Sequence, residues 1–157
     1  MKLLFVENGQ TFLKYITNRM VSEGFTVKAT FSGEEAILAA AEEKFDVAIV
    51  ELQLPGIDGI EVLKRLGQLQ PFLPRILLTA HGSVDNALKR AKSNAFKFLT
   101  KPVDMAMLLR TIHDAHAHRL EFENQNIELK DSPDDASNKG AMVKLLDKLR
   151  GLYGVKA

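Results

Sequence analysis

Two rhythms of hydrophobic and polar positions alternate along the first 130 residues. Residues 2–6 are a short apolar run, the pattern of a strand covered on both faces. Residues 10–22 place Phe12, Leu13, Tyr15, Ile16 and Met20 at helical spacing, and Gly24 supplies the stop. Phe25, Val27 and Ala29 alternate as in a strand over 25–30. Ser32 and Glu35 form a capping box ahead of Ala36-Ile37-Leu38-Ala39-Ala40. Residues 46–50 are the next apolar strand. Pro55-Gly56 marks a loop, and Asp58 is the N-cap of a helix through Leu66. Residues 75–78 read as a fourth strand, Ser83 caps a helix near 84–93, and residues 95–99 are a fifth strand. Asp104 caps a last helix that reaches about residue 128.

Strand and helix thus alternate five times. The pattern predicts an α/β fold, a doubly wound five-stranded parallel sheet with helices on both faces and right-handed crossovers. The strand order expected is 2-1-3-4-5, as in flavodoxin-like folds, with function gathered beyond the carboxyl ends of strands 1 and 3. No repeat of fixed period occurs.

The last part of the chain reads differently. Residues 119–130 are polar with sparse apolar positions. Leu120 and Ile127, with Phe122 or Leu129, make either a short coiled-coil seam or a fraying helix end. Residues 131–140 have linker composition. Met142, Leu145, Leu146, Leu149 and Leu152 then share one face of a short helix, which needs a surface to cover it. The expected division is a domain over 1–120 and a helical extension, linker and amphipathic helix over 121–157.

Composition narrows the function classes. A chain of 157 residues has room for one domain and an appendage. The absence of cysteine excludes disulfides, thiolate metal sites and cysteine nucleophiles. The first residues lack the apolar length and cleavage site of a signal peptide. No apolar stretch approaches the ~20 residues that span a bilayer, so a cytoplasmic location without membrane contact is expected. Net charge is +1, divided as +2 over residues 1–120 and −1 over 121–157, so direct nucleic-acid binding is not expected either.

The candidate chemistry lies at one edge of the predicted sheet. Glu7 and Asn8 follow strand 1, Glu51 ends strand 3, Thr79 ends strand 4 and Lys101 follows strand 5. Around them run Leu54-Pro55-Gly56-Ile57-Asp58-Gly59, Leu78-Thr79-Ala80-His81-Gly82-Ser83 and Ala95-Phe96-Lys97-Phe98-Leu99-Thr100-Lys101-Pro102. With these strings at these spacings, residues 1–120 resemble the receiver domains of bacterial two-component response regulators. The stretch 78–104 is most similar to receivers of nitrogen-regulator-type transcriptional activators.

The resemblance implies a role for each position. Glu51 is equivalent to the aspartate that accepts a phosphoryl group from a histidine kinase. Glu7, Asn8 and Glu51 are equivalent to the acidic pocket that holds magnesium. Thr79 and Lys101 are equivalent to the residues that bind the phosphoryl oxygens. Thr79 and Phe98 correspond to the switch pair, and Lys101-Pro102 to a peptide that is often cis. The implied partners are a histidine kinase or another signalling protein. The helix 4, strand 5, helix 5 face is the implied output surface and one route to a homodimer; the apolar face of the C-terminal helix is another, unless it docks on its own receiver or in a partner groove.

Two departures alter the expectation. Glu51 replaces the acceptor aspartate, and Asn8 replaces one of the acidic pair. Magnesium takes oxygen ligands in a tight octahedron, usually with one or two carboxylates. Glu7, Glu51 and Lys101 leave the pocket at −1, so no resident cofactor is expected and magnesium binds weakly at most. The extra methylene of Glu51 displaces its carboxylate, and phosphoryl transfer depends on position and charge. A receiver that signals by protein–protein contact, independently of phosphorylation and not as an enzyme, is therefore expected. The alternative is a weakly phosphorylatable receiver with magnesium-dependent transfer and autodephosphorylation. Glu51 itself either stands in for phosphoaspartate near Thr79 and Lys101 or forms a silent ion pair with Lys101.

Other constellations carry less. His113 and His116 share a helix face but His118 does not, and a solvated surface is expected for all three. His81 reads as a loop histidine. Glu7-Asn8-Gly9-Gln10-Thr11 is a poor phosphate loop for a flavin-binding module, and no Gly-x-x-x-x-Gly-Lys-Ser/Thr string occurs.

Overall fold

A computed structural model of the chain describes residues 1–80, 84–91 and 94–130, with residues 140, 143, 144, 147 and 148 of the tail. The elements in chain order are β1 (Lys2–Val6), α1 (Gln10–Ser22), β2 (Thr26–Thr30), α2 (Gly33–Glu42) and β3 (Val47–Glu51). They continue as α3 (Gly59–Leu69), β4 (Arg75–Ala80), α4 (Val84–Ala91), β5 (Lys97–Lys101) and α5 (Met105–Lys130). All neighbouring strands are parallel, in the order β2-β1-β3-β4-β5. Among the described residues, no helix is long and apolar enough to cross a membrane.

The pleat sorts the strand residues into two cores, because successive side chains point to opposite faces. Leu4, Val6, Ala48, Val50 and Leu77 pack with α2 and α3. Leu3, Phe5, Val47, Ile49, Ile76, Leu78 and Leu99 pack with α1 and α5. The central strands are apolar on both faces because both faces are covered.

Helix ends follow local chemistry. Ser32 accepts from the Glu35 amide at 3.2 Å, Asp58 from the Glu61 amide at 2.9 Å and Asp104 from the Met107 amide at 2.9 Å. The Glu35 carboxylate reaches back one residue further than a capping box requires, to the Phe31 amide at 3.1 Å. Gly24, at φ +93°, takes the left-handed turn that releases the chain from α1. Helix α3 continues to Leu69, one turn beyond the expected Leu66, and Gln70 closes it through its amide to the Leu66 carbonyl at 2.8 Å. Strand β5 starts two residues later than expected. Its ladder begins only after the Phe96 amide has met the Arg75 carbonyl at 2.7 Å.

Two polar anchors, one fully buried and one partly so, hold the amino-terminal side of the sheet. Arg75 is fully buried, with Nη1 donating to the Leu63 carbonyl at 2.7 Å. Its guanidinium lies where a side chain on Gly67 would stand. On α5, Arg119 donates to the Phe45 carbonyl at 2.6 Å and to Asp46 Oδ1 at 3.2 Å.

Helix α5 passes uninterrupted across residue 120, so the division placed there falls inside one helix. Leu120 and Ile127 are exposed, whereas Phe122 is buried and is not part of an exposed seam. The histidines are also less uniform than a solvated surface. His113 is exposed, but the half-buried His118 ring sits between Phe96 at 5.6 Å and Phe122 at 5.2 Å, where α5 crosses the approach to β5. No cluster of potential metal ligands forms among the described residues. His81, the Ser83 cap, the 131–139 linker and the apolar face of 141–152 lie outside the described residues.

Candidate functional site

Glu7, Glu51 and Lys101 meet at the carboxyl edge of the sheet. Glu51 is the last residue of β3 and Lys101 the last of β5, while Glu7 directly follows β1. The pleat puts all three on one side. Glu7 continues the Leu3, Phe5 series, Glu51 the Val47, Ile49 series, and Lys101 follows Leu99, all of the α1–α5 core.

The contacts are short and reciprocal. The Lys101 ammonium lies 2.6 Å from Glu7 Oε2 and 2.5 Å from Glu51 Oε2. Glu7 Oε1 accepts from the Gly9 amide at 2.8 Å, and Glu51 Oε1 from the Gln53 amide at 3.1 Å. Each of the four carboxylate oxygens therefore has a donor. Glu7 is 2% exposed and Glu51 5%, so these charges are held by partners rather than by water.

The Phe12 ring, from the first turn of α1, completes the cage with its centroid 4.6 Å from the ammonium. Burial works to lower the Lys101 pKa. The hydrogen bonds and charges of Glu51 and Glu7 outweigh it, and the pKa is raised above the ordinary lysine value.

Gly59 brings the start of α3 against this edge. Its amide donates to the Leu52 carbonyl at 2.9 Å, and a Cβ there would stand 2.7 Å from Leu52 Cα and closer still to the Glu51 carbonyl oxygen. Only glycine permits that approach.

The remaining predicted positions are arranged around the triad rather than in it. Thr79 is buried inside β4, which continues to Ala80, and its hydroxyl makes a long bond to the Ala80 carbonyl at 3.4 Å. It shares the face of Leu77. Phe98 pairs with Leu77 in the ladder and packs, partly buried, against the α2–α3 core. Thr79 and Phe98 are thus diagonal neighbours on the face opposite the triad. Asn8 is exposed. The Lys101–Pro102 peptide is cis.

The sequence reading missed Phe12, which it assigned only to the apolar face of a helix. It also left out the Gly9 and Gln53 amides and the close approach at Gly59. Glycine directly after a capping aspartate was the available signal for the last of these.

Comparison with known proteins places the chain in a family. Residues 3–113 match the model of the response regulator receiver domain. The chain is 38% identical over 113 residues to the transcriptional regulatory protein GlrR of Escherichia coli, covering 72% of this chain and 26% of the relative. It is 30% identical over 129 residues to the DNA-binding transcriptional regulator NtrC of Salmonella typhimurium, covering 81% and 28%. The chain thus spans about a quarter of the length of these relatives. Among solved structures, a response regulator receiver domain protein from Clostridium thermocellum superposes with a TM-score of 0.71 at 29% identity, covering 75% of this chain and 95% of that one. Fold and matched span agree, and the chain belongs to the response regulator receiver family.

Proposed function

We propose that this chain is a receiver module of a two-component or phosphorelay system that signals through protein–protein contact without itself taking a phosphoryl group. One observation carries the reading. The Glu51 carboxylate, at the end of β3, is buried with both oxygens engaged, one by the Lys101 ammonium and one by the Gln53 amide. A nucleophile so held must break a buried ion pair before it can attack, and its extra methylene sets it off the aspartate position.

Glu51 is an ion-pair partner in this reading, not a substitute for phosphoaspartate. Thr79 supports that choice, since its hydroxyl turns to the Ala80 carbonyl and lies on the opposite face of the sheet. The receiver unit covers residues 1–120, with residues 121–157 as its extension. Its contacts are with a histidine kinase or another signalling protein, or with a second copy, through the α4–β5–α5 face. Thr79 and Phe98 remain the two-state pair through which a partner biases that face.

A small phosphodonor with magnesium tests the reading, followed by intact-mass measurement and peptide mapping. No phosphoryl adduct is expected on the natural chain. Asn8→Asp/Glu51→Asp is expected to acquire one, because it restores the shorter acceptor and the acidic pair that the resemblance implies, with Lys101 still beside position 51. An acylphosphate on Glu51 of the natural chain would overturn the proposal in favour of a weakly phosphorylatable receiver.

A further inference from the structure

We propose that the Lys101 ammonium is the resident cation of the Glu7–Glu51 carboxylate pair and closes this edge to divalent metal. The inference rests on the reading of Glu51 as an ion-pair partner and extends it to Glu7, Phe12 and the cation.

The ammonium is not beside the carboxylate pair but between its members, 2.6 Å from Glu7 Oε2 and 2.5 Å from Glu51 Oε2. A magnesium ion bridging the same two carboxylates would need their oxygens at about 2.0–2.1 Å in an octahedron completed by water. Ion and ammonium would compete for the same oxygens and the same space. Turning the carboxylates to offer Oε1 instead would cost the Gly9 and Gln53 amide bonds.

Charge points the same way. The triad sums to −1 as it stands. A divalent ion added beside the lysine would make it +1 between carboxylates that are 2% and 5% exposed. Expelling the lysine would strip the ammonium of both carboxylates and of the Phe12 ring 4.6 Å away. Asn8, exposed, offers only a neutral oxygen in compensation. The donor set of this chain therefore does not fit the metal that the family resemblance implies. The family's lysine does the cation's work.

The test is a manganese titration of the full chain followed by paramagnetic broadening of backbone amides, with magnesium competition. In the natural chain, the amides of Glu7, Glu51 and Lys101 are expected to broaden no more than those of surface carboxylates. Lys101→Met empties the space between the carboxylates and is expected to bind manganese about tenfold or more tightly than the natural chain. Its melting temperature should rise on metal addition, by linkage. Lys101→Gln, which keeps a neutral donor, serves as the second variant should the first fold poorly.

Adding Glu7→Gln to Lys101→Met should abolish the gained affinity. Selective broadening of the Glu7 and Glu51 amides in the natural chain would overturn the proposal. So would folded Lys101 variants that bind no more tightly than the natural chain. Metal binding to unphosphorylated protein is read separately from adduct formation, so this inference and the phosphorylation reading fail by different results.

Discussion

Replacing Lys101 with methionine should lower the stability of the domain by about 3–5 kcal/mol at neutral pH, the range observed when one partner of a buried ion pair is removed. The magnitude follows from what remains. Glu7 and Glu51 are 2% and 5% exposed and share the one ammonium. Without it, two neighbouring carboxylates stay out of water with no cation between them. For a small domain of ordinary stability, ~5–15 kcal/mol in total, such a loss is severe without unfolding most of the population.

Urea unfolding checks the size, with the m-value expected to stay constant. The natural chain should lose stability at alkaline pH. The Lys101 pKa is raised in the fold by its two carboxylates, so its stabilisation is complete below the unfolded lysine value, about 10.4, and is lost as pH climbs through the folded one. Lys101→Met should lack that alkaline step. A variant as stable as the natural chain, with the alkaline step intact, would mean the pair contributes nothing.

Gly67→Ala should destabilise the domain by about 3 kcal/mol or more, although alanine ordinarily favours a helix over glycine by about 1 kcal/mol. Packing decides the sign. A Cβ at position 67 would stand 2.7 Å from Arg75 Cζ and closer still to Nη1. Nη1 is the donor that serves the Leu63 carbonyl in a site with no solvent. Either the guanidinium leaves its slot or α3 moves off β4. Arg75→Met in the Gly67→Ala background should recover much of the loss, so the two positions should be strongly non-additive in a double-mutant cycle. A neutral or stabilising Gly67→Ala would show that the slot is wider than the geometry implies.

Most of the fold was legible because its elements are covered on both faces or on one clear stripe. Runs such as Val47 to Val50 have no exposed face, and α1 repeats its apolar positions at helical spacing. Strand ends were less legible, because they depend on partners in the sheet. Lys101 reads as a residue after strand 5 until the ladder shows it paired with Ala80. Arg75 at the head of an apolar strand gave no hint of full burial. The signal was on another element, a glycine at position 67 inside an amphipathic helix.

The site was legible as a set of positions but not as a geometry. The parity of Leu3, Phe5, Glu7 and of Val47, Ile49, Glu51, with Leu99 and Lys101, does place the charges on one face, and Thr79, in step with Leu77, on the other. The placement of Phe12 over the ammonium could not be read in the same way. It depends on where α1 crosses the sheet, and no local pattern encodes that crossing.

The most direct test of a receiver closed to phosphoryl chemistry is an amide NMR titration with magnesium and beryllofluoride, which together mimic a bound phosphoryl group. No response at Thr79, Phe98 or Lys101 is predicted with magnesium, with beryllofluoride or with both. Shifts at those three residues that require both reagents would contradict it and show a working acceptor site built on Glu51.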